Sequence, residues 1–307
     1  MTRFGRAFQK TKHLAGMITI RIISQCRSPQ FSLPPVVLLS YPRSGSSWAG
    51  KVLATSPEFA YLREPITQPY MKRYDGQRPV FYTDDKHPDI TIYKRLANNA
   101  FAGLPSLYKG GVDNKNDFLP FSKNTPKRLL IKEVNPAAAD FFCKRYQPFL
   151  LLLLRHPAAV ALSYYEQGWL KKVGNDNFNE WVNFGRLYGT FMAEAVETAN
   201  KYEDSKIIKY EDLVKDPEKR FLDIFNCCNV TPPEDFDFVI KKYCHSKDDL
   251  SSGYQTQRNS KVTSEKWKNK LSEQQLASIK EGFLETNLDF YREPSDWLLK
   301  EAVTDSV

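Results

Sequence analysis

The chain has 307 residues, which is long for one domain but within the range of a single α/β unit. Its five cysteines (Cys26, Cys143, Cys227, Cys228 and Cys244) show neither paired CxxC spacing nor a Cys/His cluster, which argues against zinc and predicts a reducing compartment. The formal net charge is +8, but the first 57 residues hold eight Lys and Arg and no acid, while the remainder is balanced. This uneven distribution argues against a diffuse nucleic-acid-binding surface.

Residues 1–35 are predicted to form a basic N-terminal arm. Their apolar residues recur mostly at every fourth position, which is typical of one helix face. The apolar run from Leu14 to Ile23 contains Arg21 and is too short to span a bilayer, and no cleavable signal pattern is evident. Three interpretations stay open: a helix packed on the body, a helix lying on a membrane surface, and an organelle transit sequence.

The stretch from Val36 to Pro57 reads as a strand, a loop of small residues and a helix. Its first six residues are apolar at all but one position, as in strands buried on both faces of a parallel sheet. The loop 42–47 follows, and a helix-compatible segment begins at Trp48. Backbone N–H groups and a helix N-terminus meet there beside the Arg43 guanidinium, which predicts an anion-binding site.

The spacing of this loop partly matches the phosphate loop of NTPases. Gly45, Gly50 and Lys51 occupy the glycine and lysine positions. However, Val52 stands where a Ser or Thr hydroxyl should hold Mg²⁺, and the bulky Trp48 lies within the loop. A chance match is therefore favoured, and a Ser/Gly-rich turn without a ligand is a further alternative.

Alternating strands and helices continue through the chain. Further strands are predicted at 59–63, 128–131, 149–154 and 206–210, and helices at 136–146, 157–169, 177–202 and 217–228, with a last helix opening at the capping-box pattern of Ser272. The pattern predicts a single α/β domain over residues 36–300, with a P-loop-like central parallel sheet flanked by helices on both faces and a tail at 301–307. Residues 66–127 lack a clean hydrophobic period and are interpreted as binding loops.

Glu64-Pro65 follows the second strand directly. The proline should hold Glu64 in extended geometry at a strand end, where α/β sheets bind their ligands. A surface carboxylate paired with Arg63 or Arg43 is the alternative.

Four segments together resemble the sulfotransferases that use 3′-phosphoadenylyl sulfate (PAPS). Tyr-Pro-Arg-Ser-Gly-Ser-Ser-Trp at 41–48 resembles the family's 5′-phosphosulfate loop, and Arg155-His156-Pro157 with Ser163 resembles its 3′-phosphate motif. The segment 210–213 with Asp216-Pro217 resembles the part that closes around adenine, and the loop before Trp267 resembles the C-terminal phosphate loop. The four occur in the family's order over residues 36–285, and they resemble the carbohydrate-type and bacterial enzymes more than the cytosolic small-molecule ones.

The resemblance implies transfer of a sulfuryl group from PAPS to an acceptor hydroxyl, with no metal. It assigns the 5′-phosphosulfate to Arg43, Ser44, Gly45, Ser46 and Ser47, the adenine to Trp48 and Tyr210, and the 3′-phosphate to Arg155 and Ser163, with Arg258 or Lys261 completing it. An arginine suits this phosphate because its permanent charge and planar fork allow bidentate binding.

The resemblance leaves the general base between two carboxylates. Cytosolic relatives use a His two residues past a strand-end Lys, but here Lys132 is followed by Glu133 and Val134. Carbohydrate-type relatives place a Glu after the second strand, which favours Glu64 as the base, with Glu133 second and Lys132 assisting at the sulfuryl group.

The predicted acceptor is a small molecule or glycan, and Glu64-Pro65 favours a carbohydrate or glycolipid hydroxyl with residues 66–127 as the acceptor-side wall. A cytoplasmic location is expected because no membrane span is recognised, with peripheral membrane contact through residues 1–35 left open. Two alternatives remain: a P-loop-like nucleotide kinase that needs Mg²⁺, and a non-catalytic membrane-associated nucleotide-binding module.

Overall fold

A computed structural model describes residues 33–73, 80–83, 90–106, 110–118, 127–172, 179–244 and 264–299, with three isolated positions nearer the N-terminus. The predicted positions Arg258 and Lys261, and nearly all of the N-terminal arm, lie outside the described residues. Within those ranges, no helix is long and apolar enough to cross a membrane.

A five-stranded parallel sheet forms the centre of the fold. Its strands have the spatial order β2-β3-β1-β4-β5. Their bounds are β1 Val36–Ser40, β2 Phe59–Arg63, β3 Arg128–Glu133, β4 Phe149–Leu154 and β5 Ser205–Lys209. This arrangement confirms the predicted α/β fold class.

Helices cover both faces of the sheet. They are α1 Ser46–Leu53, α2 Thr67–Arg73, α3 Ile90–Phe101, α4 Ala139–Tyr146, α5 Pro157–Glu166, α6 Glu180–Lys201, α7 Tyr210–Lys215, α8 Pro217–Cys227, α9 Phe236–Cys244, α10 Trp267–Lys270 and α11 Glu273–Leu284.

The central strands β1 and β4 are nearly continuous apolar runs because both of their faces are buried, whereas only one residue of the edge strand β5 is buried. Side chains alternate between two core clusters, so Val37 and Leu39 of β1 pack on one face and Val36 and Leu38 on the other.

The helices that follow β1 and β4 lie on opposite faces of the sheet. Trp48 and Val52 of α1 belong to one core cluster, whereas Ala158 and Val160 of α5 belong to the other. The strands β1 and β4 are neighbours, so the order reverses between them. In open α/β sheets, ligands bind in the crevice at such a switch point.

Residues 66–127 contain helices that the sequence prediction did not include. The buried face of α3 consists of Ile90, Tyr93, Ala97 and Ala100. These residues recur at a helical spacing, but only one of them is strongly apolar, so the pattern looked irregular. The prediction of α5 was too long, since it ends at Glu166, and Tyr210 begins α7 instead of ending β5.

Candidate active site

The loop after β1 forms a backbone cradle at the start of α1. The Ser44 N–H donates to the Tyr41 carbonyl at 3.2 Å, and Gly45 has a φ of 95° at the helix N-cap. A Cβ at Gly45 would lie 2.5 Å from the Tyr210 ring, so glycine is required here. No side chain caps this end of α1, and the first N–H groups of a helix have no intrahelical acceptor. The cradle therefore presents donors to an anion.

The serines of the loop differ in their hydrogen bonds. The Ser40 hydroxyl donates to Ser46 Oγ at 2.7 Å. The Ser44 hydroxyl is fully buried and has no hydrogen-bond partner within the described residues. A buried hydroxyl without a partner is costly, and an oxygen of a bound anion would satisfy it.

Arg43 turns its side chain toward the neighbouring corner. Its backbone adopts a left-handed conformation with a φ of 71°. Its Nε donates to Ser163 Oγ at 2.8 Å, and its guanidinium carbon lies 5.8 Å from the centre of the Trp169 ring. Residues assigned to opposite ends of the nucleotide are thus in direct contact.

Arg155 completes the junction between the two corners. Its Nη1 donates to the Arg43 carbonyl at 3.1 Å, and its guanidinium lies 4.4 Å from the centre of the Tyr210 ring, within cation–π range. Glu166, an acid at the end of the following helix that could have formed a purely structural salt bridge with Arg155, pairs with Lys266 instead, at 2.5 Å. The structure therefore brings Arg43, Ser163 and Arg155 together at the switch point.

Both predicted adenine-contacting rings are buried beside this junction. The rings of Trp48 and Tyr210 meet edge to face with centroids 5.5 Å apart, and Trp48 Nε1 donates to the Tyr243 carbonyl at 2.9 Å. Their stacking on adenine stays a prediction.

Glu64 forms a buried ion pair with Lys132 across the β2–β3 edge. The strand register pairs Arg63 with Lys132, which brings the next residue, Glu64, against the ammonium group. Only 6% of Glu64 and 1% of Lys132 is exposed. The alternative of a surface carboxylate paired with Arg63 or Arg43 is therefore wrong.

The pKa of Glu64 reflects two opposing effects. Burial raises the pKa, but the Lys132 ammonium, the Gln68 amide and Arg63 outweigh it and lower the pKa below its ordinary value. The carboxylate is ionised at neutral pH. Its backbone was expected to be extended, yet Glu64 has a φ of 46°. This conformation accompanies a hydrogen bond of 2.6 Å from the Glu64 N–H to the Lys132 carbonyl.

Glu133 faces the opposite side of β3 from Lys132 and binds the start of α2. Its carboxylate accepts hydrogen bonds from the Ile66 N–H at 2.7 Å and from the N–H and hydroxyl of Thr67 at the start of α2. Burial raises its pKa to about 7 despite these donors. Both oxygens of Glu133 cap the helix, and both oxygens of Glu64 are bound by Lys132 and Gln68, so hydrogen bonding does not distinguish the two carboxylates as bases.

A comparison with known protein families identifies the family of this chain. A sulfotransferase domain model matches residues 33–290, which is most of the chain. The chain belongs to the sulfotransferase family. This confirms the enzyme class named from the four motifs, a PAPS-dependent sulfotransferase.

Several solved structures resemble this sulfotransferase. The sulfotransferase domain from the curacin biosynthetic pathway is 19% identical with a TM-score of 0.49, covering 83% of this chain and 99% of that one. Mouse sulfotransferase SULT7A1 complexed with PAP is 15% identical with a TM-score of 0.45, covering 94% and 93%. The enzyme from Alicyclobacillus acidocaldarius is 15% identical with a TM-score of 0.41, covering 87% and 99%. No protein of curated function matches the sequence significantly.

Two further contacts of this sulfotransferase bear on its sequence-predicted site. The Lys51 ammonium pairs with Asp113, so it does not serve the loop as an NTPase lysine would. Gln68 was missed by the sequence reasoning, although its Nε2 donates to Glu64 Oε2 at 2.7 Å. The four-residue spacing of Glu64 and Gln68 indicates a contact only where the segment is helical, and the sequence interpretation of residues 66–127 as loops did not include that helix.

Proposed function

We propose that this sulfotransferase transfers the sulfuryl group of PAPS to a hydroxyl of a carbohydrate or glycolipid acceptor, with Glu64 as the general base. One observation carries the proposal: the loops after β1 and β4 meet at the switch point, where Arg155 Nη1 lies 3.1 Å from the Arg43 carbonyl. Two cationic corners in contact fit one doubly phosphorylated nucleotide. When bound, PAPS supplies an activated sulfuryl group and a phosphate leaving group.

Arg43 and the α1 N-terminus would hold the 5′-phosphosulfate. The Ser44 hydroxyl and the N–H groups of residues 45–47 would donate to its oxygens, and the Arg43 guanidinium would neutralise charge on the leaving oxygen. A unit charge about 4 Å away contributes up to roughly 4 kcal/mol at an effective dielectric constant near 20. Donors fixed before the reaction need no reorganisation as that charge develops.

Arg155 and Ser163 would hold the 3′-phosphate. Arg155 is only 7% exposed, and its guanidinium lies against the Tyr210 ring, so its orientation is already fixed. A bidentate guanidinium–phosphate pair in such a desolvated corner is stronger than one in water.

Glu64 would take the proton of the acceptor hydroxyl. Its carboxylate is ionised and can accept a proton, while the Lys132 ion pair that keeps it ionised also lowers its proton affinity. Lys132 would in turn place a positive charge near the reacting group. The resemblance of Glu64-Pro65 to the carbohydrate-type enzymes supports a carbohydrate or glycolipid acceptor.

Nucleotide-dependent melting tests the proposal. Adenosine 3′,5′-bisphosphate (PAP) with EDTA should stabilise the protein by about 2.7 kcal/mol at 100 times its Kd, whereas ADP with Mg²⁺ should do so poorly. Radiolabelled sulfate should then pass from PAPS to at least one member of a panel of glycans and glycolipids. Lys51→Ala is the matched control and should leave the PAP effect unchanged. Stabilisation by ADP with Mg²⁺ but not by PAP would instead support the kinase alternative.

A further inference from the structure

The corner that carries Arg155 is held by side chains from distant parts of the chain. Arg155 and His156 lie between the end of β4 and the start of α5. Backbone groups at such a junction lack the regular partners of a strand or helix and must find others when buried. Here the partners are Tyr188 of α6 and Glu211 of α7.

Tyr188 binds both backbone polar groups of Arg155. Its hydroxyl accepts from the Arg155 N–H at 3.3 Å and donates to the Arg155 carbonyl. The Tyr188 side chain is completely buried, with its ring 5.1 Å from that of Tyr41. One phenol thus fixes the backbone from which the guanidinium projects.

Glu211 fixes the next residue and links it to the C-terminal segment. Its Oε1 accepts from the His156 N–H at 2.9 Å, and its Oε2 accepts from the Tyr291 hydroxyl at 2.7 Å. Glu211 also follows Tyr210, whose ring contacts the Arg155 guanidinium. The carboxylate therefore holds α7 and the corner in one arrangement.

We propose that Tyr188 and Glu211 are positioning residues that give the enzyme its selectivity for a nucleotide bearing a 3′-phosphate. This inference rests on the proposed function, in which Arg155 binds that phosphate. The hydrogen bonds of Tyr188 and Glu211 are made to the corner's backbone and to Tyr291, so they act through Arg155. A guanidinium displaced by about 1 Å loses bidentate geometry, and binding energy from the 3′-phosphate is lost while that from the rest of the nucleotide remains.

The test compares PAP with adenosine 5′-monophosphate (AMP), which lacks only the 3′-phosphate. Calorimetry measures both Kd values for the full-length wild type, Tyr188→Phe, Glu211→Ala and Glu211→Gln. Tyr188→Phe and Glu211→Ala should each raise the Kd for PAP about tenfold and change the Kd for AMP less than twofold. Glu211→Gln retains an oxygen for the His156 N–H and should restore PAP binding to within about threefold of wild type.

Tyr146→Phe is the matched control. This substitution also removes a tyrosine hydroxyl that donates a hydrogen bond, in this case to Asn98 at 2.7 Å, but the bond lies at the protein surface. Its PAP-to-AMP selectivity should equal that of wild type.

The outcomes separate this inference from the proposed function. Equal loss of PAP and AMP binding, or an unchanged selectivity in Tyr188→Phe and Glu211→Ala, overturns the positioning role. A wild type that binds PAP and AMP equally overturns the 3′-phosphate assignment itself. If Tyr188→Phe fails to fold, the comparison of Glu211→Ala with Glu211→Gln decides the question.

Discussion

At the scale of single residues, the Glu64–Lys132 pair shows why the base could be named from sequence but its environment could not. Glu64 was recognisable because an acid followed by proline stood at a predicted strand end. Its partner depends on β2 lying beside β3 in a register that pairs Arg63 with Lys132. Strand order is a long-range property that no local pattern contains. The contact of Arg43 with Ser163 was missed for the same reason.

Replacing Glu64 should impair turnover and stability through separate effects. Glu64→Gln should lower kcat by about 10² to 10⁴-fold if the carboxylate is the base. It also leaves the Lys132 ammonium buried without a counter-charge, which should lower the free energy of unfolding by roughly 3 kcal/mol. Sulfate transfer and urea unfolding measure the two effects.

Two companion variants separate catalysis from packing. Glu64→Gln combined with Lys132→Met should recover stability but not turnover, because the buried charge is gone and the base is still absent. Glu133→Gln should keep near-normal turnover, since Glu133 caps α2. If turnover in Glu64→Gln stays within a few-fold of wild type, Glu64 is not the base. A large loss of turnover in Glu133→Gln would instead indicate that Glu133 is the base.

At the scale of elements, the five strands could be predicted to within two residues at each end, most directly β1 and β4, because doubly buried strands are continuous apolar runs. Helices were harder where tyrosine and alanine made the buried face, as in α3. The contact of α6 with α11 was not foreseen either. There Gly185 and Gly282 let two helix backbones approach closely, and a Cβ on Gly282 would lie 1.9 Å from the Val182 carbonyl oxygen.

Because the two helices approach so closely, Gly282→Ala should lower stability, the opposite of its usual effect in an exposed helix. In an exposed helix interior, Gly→Ala stabilises by up to about 1 kcal/mol. Here Gly282→Ala should destabilise by roughly 2 kcal/mol, because the methyl group forces α6 and α11 apart. Urea unfolding shows whether Gly282→Ala raises or lowers the free energy of unfolding. Glu281→Ala, the exposed neighbour on α11, should stay within about 0.5 kcal/mol of wild type. A more stable Gly282→Ala protein would show that the helices separate easily.

At the scale of the whole molecule, the C-terminal segment returns to the sheet and encloses His156. The imidazole stacks on Trp267 with ring centroids 4.5 Å apart and contacts the rings of Tyr291 and Trp297. Its Nδ1 accepts from the Ala158 N–H and caps α5. A neutral imidazole thus joins the last part of the chain to the corner at Arg155.

Burial makes this contact sensitive to acid. Burial, with Lys268, Lys209 and Arg155 nearby, lowers the pKa of His156 to about 3, against an upward effect from the Asp296 backbone. Its stabilising contribution is complete above pH 6.5 and declines toward pH 3, by about 1.4 kcal/mol per pH unit. Glu133 acts in the opposite sense, because its pKa of about 7 lets the folded state take up a proton that the unfolded state takes up only near pH 4.5. Between pH 4.5 and 6.5 the opposite effects of His156 and Glu133 on the free energy of unfolding should largely cancel.

Removing either His156 or Glu133 should therefore reveal the pH dependence of stability that the other residue contributes. His156→Asn keeps an oxygen to cap α5 but cannot be protonated, so the stability of this variant should rise as the pH falls from 6.5 to 4.5. Glu133→Gln should lose stability over the same interval, since only the cost of protonating the buried His156 remains. Urea unfolding at pH 6.5, 5.5 and 4.5 measures both slopes against wild type. Parallel pH profiles for all three proteins would mean that the C-terminal segment does not hold His156 neutral in the folded enzyme.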